Sequence, residues 1–330
     1  MASIKDVARL SGVSVTTVSR VMNNRGYIGK ETRQRVEDAM NQLDYQPNQI
    51  ARSLQRSQSN LIGVIVPDLA HPFFSELINS IEAYASEREY KIVICNSLQD
   101  AEKEENYMRM LRQNRADGVI TCSHTLATSN YEHENMPVIS FDRIISSSIP
   151  YVASDNYRGG ELAAVHLMEK GCKNVLHISG PLKYDLLANR RKDAFELTSM
   201  KAGAAVESIE GAYVQATFKD NYQFIEEKAA PVLSDYDGIF CSNDILAYAL
   251  YMFCYNHGIG VPEELKIIGY DNHSFTRMLQ FPKLTTIHQP IDQLGEALAY
   301  SLINQIEKKS PGNHVQNIML DVNLVKGNTT

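Results

Sequence analysis

The sequence predicts two kinds of structure in one chain. A small all-α helix-turn-helix head and a hinge helix come first, and an α/β body of two lobes with two parallel sheets follows. Three observations carry this expectation. Residues 4 to 43 place apolar side chains three and four apart, the spacing of a buried helical face. From Leu61 onward, short apolar runs alternate with helical stretches, the order that parallel sheets covered by helices produce. The alternation restarts near residues 155 to 160, which divides the body into two doubly wound lobes. With 330 residues, the chain is long enough for a small domain beside a large one, or for two to three domains.

The head is justified residue by residue. Ile4, Val7, Ala8 and Leu10 mark a first helix, and Gly12 suits a left-handed cap that ends it. Ser14 is placed to cap a second helix, in which Val18, Val21 and Met22 form the buried stripe. Thr16 and Arg20, four apart, share a face that Val18 and Met22 do not occupy, so they are free to meet a partner. Ala8, Gly12 and Val18 fall where a helix-turn-helix needs a small residue, a tight turn and a core anchor. Val36, Met40 and Leu43 predict a third helix over about 30 to 43. Pro47 then suits the first turn of a short helix carrying Ile50, Ala51 and Leu54, which reads either as a linker or as a hinge that folds only when docked on a partner.

In the body, strands are predicted over Leu61–Pro67, Lys91–Asn96, Gly118–Cys122, Val138–Asp142, Val152–Asp155, Asn174–Ser179, Gly238–Cys241 and Lys266–Gly269. Helices are predicted over about 71–88, 102–114, 158–170, 188–200, 220–233, 244–257 and 291–308. Ligands of such sheets bind beyond the carboxyl ends of the strands. Asp68, His124, Asp142, Asp155, Asn243, Asp244 and Asp271 gather at those ends. Asp155 and Asn156 are expected to cap the helix that follows them, and Asp244 the helix over about 244–257.

Charge is divided between the two parts. The net charge is −7, yet residues 1–60 hold nine Lys/Arg and five Asp/Glu, a net of +4, which leaves −11 for the rest. A basic head on an acidic body fits a protein that presents one end to phosphates. No apolar run reaches membrane-spanning length and no signal-like segment follows Met1, so a cytoplasmic protein is expected. The five cysteines form no CxxC pair and are expected as buried, reduced thiols. There is no G-x-S-x-G, no HExxH, no P-loop and no GxGxxG opening a helix, and the nine histidines show no metal-ligand spacing. An enzyme is therefore not expected, nor a cofactor or metal. Asp142 and Asp271 as glycosidase-like carboxylates, or a plain sugar-binding protein, are the remote alternatives.

Several separate stretches resemble the LacI/GalR family of transcriptional regulators, in the same order and spacing: IKDVARLSGVSVTTVSRVMN (4–23), LDYQPNQIARSL (43–54), IGVIVPDLAHPFFSELINSIE (62–82), VASDNYRGGELAAVHL (152–167), FCSNDILAYAL (240–250), IIGYDN (267–272) and LTTIHQP (284–290). The resemblance implies a DNA-binding domain over 1–46, a hinge helix and linker over 47–60, and an effector-binding and dimerisation body over 61–330. That body would be two-lobed and similar to periplasmic sugar-binding proteins. Its first lobe would span about 61–157 plus 290–310, and its second about 158–289 plus 311–330.

By the same resemblance, Val15, Thr16 and Arg20 would face base edges of double-stranded DNA. The Arg20 guanidinium matches the O6/N7 pair of guanine. Thr17 and Ser19, with Lys5, Arg25, Lys30 and Arg33, would meet phosphates. Asn48 and Ala51 would lie on the hinge helix, and Leu54 would wedge a minor-groove base step. A homodimer would read a pseudo-palindromic operator, and the absence of a terminal heptad repeat favours a dimer over a tetramer. The cleft would hold a small effector, a sugar in the first instance, through Phe73, Phe74, Asp142, Arg190 or Arg191, Phe218, Asn243 and Asp271. Cys122, Ser123 and His124 end a strand facing the cleft, with no role that the family fixes. A purine or nucleoside effector, or a phosphorylated carrier protein as corepressor, are the alternatives.

Overall fold

A computed structural model gives the architecture. It describes residues 2–23, 25–45, 58–125, 127, 129–132, 135–211, 217–279, 281–307 and 316–330. These fall into two compact units divided between Ser59 and Asn60.

The first unit is three helices: α1 (Ile4–Ser11), α2 (Val15–Met22) and α3 (Lys30–Gln42). Asp6 closes the start of α1 by accepting from the Ser3 N–H at 3.0 Å and the Ser3 hydroxyl at 2.7 Å. Gly12 ends α1 in the left-handed region, with φ +69°, where a side chain would be strained. The Ser14 hydroxyl accepts from the Thr17 N–H at 3.1 Å and opens α2. Val7, Ala8, Val18, Val21, Val36 and Ala39 make the core. The α1 stripe is narrower than predicted, because Leu10 is 46% exposed.

The second unit begins with β1 (Leu61–Val66), α4 (Pro72–Ser86), β2 (Lys91–Asn96), α5 (Ala101–Gln113), β3 (Gly118–Thr121), α6 (Ser129–Glu132), β4 (Val138–Phe141) and β5 (Tyr151–Ser154). The chain then crosses to the second lobe: α7 (Asn156–Glu169), β6 (Asn174–Ser179), α8 (Arg190–Lys201), β7 (Ala205–Glu210), α9 (Phe218–Phe224), β8 (Gly238–Cys241), α10 (Asp244–His257), β9 (Lys266–Asp271), α11 (Ser274–Met278) and β10 (Thr285–His288). Then α12 (Ile291–Ile306) and β11 (Ile318–Leu320) return to the first lobe, and β12 (Asn323–Val325) ends in the second. The sheets run β11-β5-β4-β3-β1-β2 and β12-β10-β9-β8-β6-β7. All pairings between named strands are parallel except β10 with β12, which is antiparallel.

Three links therefore join the lobes, after β5, after β10 and between β11 and β12. The third corrects the sequence-based division. Residues 318–320 pair with β5 in the first sheet, so 311–330 do not all belong to the second lobe. The predicted helix over 220–233 is α9 followed by a wider turn over Ile225–Ala229 and a tighter one over Ala230–Asp235. The strands β7, β10, β11 and β12 were not anticipated. All five cysteines are free and buried, and among the described residues no helix is long and apolar enough to cross a membrane.

In the first lobe α4 packs on α12 over the sheet, burying Leu77, Ile81, Leu294, Leu298 and Leu302. In the second, α7 packs on α8. This contact is close because Gly160 lies against the Arg191 backbone: a Cβ there would fall 2.1 Å from the Arg191 carbonyl oxygen. Backbone cannot yield as a side-chain tip can. Gly160→Ala is expected to destabilise the chain by about 1–3 kcal/mol, the cost of overpacking, read as a lower urea midpoint at unchanged slope.

Candidate functional sites

In the first unit, α2 shows its polar face to solvent. Val15 is 40% exposed, and Thr16 and Arg20 are also exposed. The Arg20 carbonyl accepts from the Arg25 N–H at 3.0 Å, but its side chain makes no hydrogen bond or ion pair among the described residues, so the guanidinium is available. Thr16, Ser19, Arg20, Asn23, Arg25 and Gly26 line one shallow hollow. Thr17 differs from the other expected contacts: its hydroxyl lies 2.9 Å from the Ser14 hydroxyl and belongs to the cap. Asn48, Ala51 and Leu54 lie outside the described residues.

In the second unit, a cleft of about 1030 Å³, counting the part open to solvent, lies at the carboxyl ends of both sets of strands. Phe73, Phe74, Asp142, Arg191, Asn243 and Asp271 all line it, as do Phe141 and Gln289. Arg190 does not; it lines a neighbouring hollow with Asp185 and Asp193. Phe218 also stays out, on the first turn of α9, 46% exposed and ring-to-ring with Tyr222.

Asp142 follows β4 in the left-handed region, φ +55°, and is buried. It accepts from the Asn156 amide at 2.6 Å. The Asn156 carbonyl in turn accepts from Arg191 Nε at 2.7 Å. Arg191 also donates to the Ser242 carbonyl at 2.9 Å and lies 3.6 Å over the Tyr270 ring. Burial raises the Asp142 pKa to about 6, with Arg191 and the Asn156 hydrogen bond opposing the rise.

Asp271, at the end of β9, has a second set of partners. Its Oδ1 accepts from Gln289 Nε2 at 2.6 Å, and Gln289 Oε1 accepts from the Ser154 hydroxyl at 2.7 Å. Its Oδ2 lies 3.0 Å from Nε2 of fully buried His273, a close contact that does not meet the geometry of a hydrogen bond. Burial pushes the Asp271 pKa up, but His273 and Arg191 prevail and hold it below the usual range. His273 moves the opposite way: burial lowers its pKa, yet the adjoining Asp271 raises it overall. His71 faces His273 from the other lobe, ring centroids 5.8 Å apart. Burial lowers the His71 pKa to about 4, and its Nδ1 accepts from the Phe73 N–H at 3.3 Å.

The caps differ from expectation. Asp155 caps α7 as predicted, by accepting from the Arg158 N–H at 2.9 Å. Asn156 does not cap but bridges the lobes. Asn243, not Asp244, caps α10, accepting from the Leu246 N–H at 2.8 Å. Asp244 is buried instead, accepting from the Thr286 hydroxyl at 2.5 Å and the His273 N–H at 3.2 Å. Asn156, Ser154 and Gln289 were missed as cleft-building residues. The signal available was that each polar side chain flanks a link between the lobes.

Two family descriptions match the chain. "Bacterial regulatory proteins, lacI family" covers residues 3–48. "Periplasmic binding proteins and sugar binding domain of LacI family" covers residues 59–327. The chain belongs to the LacI family. It is 39% identical over 306 residues to the sucrose operon repressor of Pediococcus pentosaceus, covering 92% of each chain. It is 39% identical over 310 residues to the ribose operon repressor of Halalkalibacterium halodurans, covering 94% of this chain and 92% of that one. The Lac repressor dimer bound to operator and the anti-inducer ONPF superposes with a TM-score of 0.84 at 25% identity, covering 99% of this chain and 98% of that one.

Asp142 yields a pH prediction for this LacI-family chain. Its pKa is raised on folding from 3.8 to about 6. The folded state thus binds the proton more tightly than the unfolded one. The stability this contributes is present below about pH 4 and is lost as pH rises through 6, on the order of 3 kcal/mol in all. Urea midpoints measured from pH 4 to 7 are expected to fall less steeply for Asp142→Asn than for wild type.

Proposed function

We propose that this chain is a transcriptional repressor that binds a pseudo-palindromic double-stranded operator as a homodimer. A small sugar in the inter-lobe cleft sets its operator affinity. One observation carries the ligand class: two carboxylates held by amides, Asp142 with Asn156 and Asp271 with Gln289, face a wall of Phe73, Phe74 and Phe141. Carboxylates and amides suit vicinal hydroxyls, and aromatic rings suit the apolar face of a sugar. The matched relatives are named for sucrose and ribose operons, which supports the same class. The dimer is supported by large apolar side chains left in solvent on both lobes, Ile94 and Leu98 on the first and Met278, Leu279 and Phe281 on the second. A second copy would cover them.

Operator recognition rests on Arg20 and its neighbours Val15 and Thr16, with Ser19 and Arg25 toward the backbone. Asn48, Ala51 and Leu54 are assigned to the hinge by family resemblance. Thermal shift against mono- and disaccharides, nucleobases and sugar phosphates tests the ligand class. A sugar at 100 times its Kd should stabilise the chain by about 2.7 kcal/mol by mass action. A shift with hypoxanthine or guanine alone would replace the sugar by a purine.

For DNA, an operator selected from a random duplex pool serves as the probe. Arg20→Ala should lose about 1–3 kcal/mol of binding per half-site and relax selection at one guanine position. Its melting temperature should stay at the wild-type value, because Arg20 holds nothing in the fold. Selection of the same sequence by the variant would show that Arg20 does not read a base.

A further inference from the structure

His124 lies in the cleft wall of the first lobe, just past β3, and is 8% exposed. Among the described residues its ring nitrogens make no hydrogen bond, and Nε2 is buried without a partner. An unmet buried polar atom is costly to the fold, so it is retained where something else satisfies it. The ring is firmly placed. Its neighbours Ser123 and Thr125 both donate to Glu104, a fully buried carboxylate on α5 that also accepts from Tyr131; the Ser123 bond is 2.7 Å.

Across the cleft, Tyr184 of the second lobe lies with its ring centroid 4.5 Å from that of His124. Burial, with the charge of Arg143, lowers the His124 pKa to about 4 against the opposing pull of Glu104. At neutral pH the ring is uncharged and offers one N–H donor and one acceptor.

We propose that His124 is a specificity-determining residue of the cleft: its ring nitrogens hydrogen-bond a hydroxyl of the effector, while its tilted contact with the Tyr184 ring ties that bond to the spacing of the lobes. This rests on the reading of the cleft as a sugar site. It adds a residue that the family resemblance leaves without a role. His177 also lines the cleft with unpartnered nitrogens, but it is enclosed by Phe195 and Phe240 and serves as floor.

The test is isothermal titration of the full chain with D-ribose, D-fructose, D-glucose and sucrose, continued with whichever binds most tightly. His124→Phe keeps a ring against Tyr184 and removes both nitrogens. It should bind that sugar about 10-fold more weakly or worse. His124→Gln, which restores a donor and an acceptor, should recover part of the loss. Far-UV circular dichroism confirms that both variants are folded. His124→Phe binding within two-fold of wild type overturns the proposal and leaves the sugar reading intact. Failure of wild type to bind any of the four sugars overturns the proposal and the sugar reading together.

Discussion

The Asn156 amide is the contact on which the cleft depends. It donates to Asp142 of the first lobe at 2.6 Å and accepts from Arg191 of the second at 2.7 Å. An isolated buried carboxylate and an isolated buried guanidinium would each be costly. Set apart by one amide, the two charges interact through a neutral group and keep fixed geometry. Arg191 is immobilised further by the Ser242 carbonyl and the Tyr270 ring. The tight passage of Gly160 past the Arg191 carbonyl holds the backbone that carries it.

The second link between the lobes uses the same device. Gln289, just after β10, donates to Asp271 and accepts from Ser154 at the end of β5. Each of these two links therefore carries an amide that orients a cleft carboxylate and reaches a residue of the other lobe. The two carboxylates nevertheless differ in how readily they take a proton. Asp142 has its cation only through an amide and has a raised pKa; Asp271 has a buried histidine beside it and a lowered one. Two acids at similar depth thus have their pKa values moved in opposite directions by their nearest partners.

Much of this was legible in the sequence. Gly12 and Ser14 mark the turn of the head because left-handed and capping positions each accept few residue types. Strands buried on both faces, such as Leu61–Val66, read as unbroken apolar runs. The strands that escaped are those lacking that signal. Ala205–Glu210 is an edge strand with no fully buried residue, and Thr285–His288 is buried but polar, its threonines bonded to Asp244 and the chain end. Three-residue strands such as Ile318–Leu320 are below what periodicity can resolve. Among site residues, family spacing could not separate Arg190 from Arg191, because adjacent helix positions point about 100° apart and only packing selects one. Asn156 was hidden by its neighbour: two capping residues in succession leave open which one caps, and Asp155 took the role.

The same network bears on how a ligand can act. Asp142, Asp271, Asn156, Gln289 and Arg191 are already partnered in this structure, so a hydroxyl entering the cleft must share or exchange hydrogen bonds that now connect one lobe to the other. Binding free energy and lobe arrangement then cannot be independent, since each exchanged bond belongs to both. A ligand that favours one arrangement shifts the population toward it only by its difference in affinity for the two. By linkage, whatever else favours that arrangement tightens the ligand equally. The first unit carries the exposed Arg20, and the second carries the shared bonds; regulation requires only that DNA-bound heads prefer one lobe arrangement over the other.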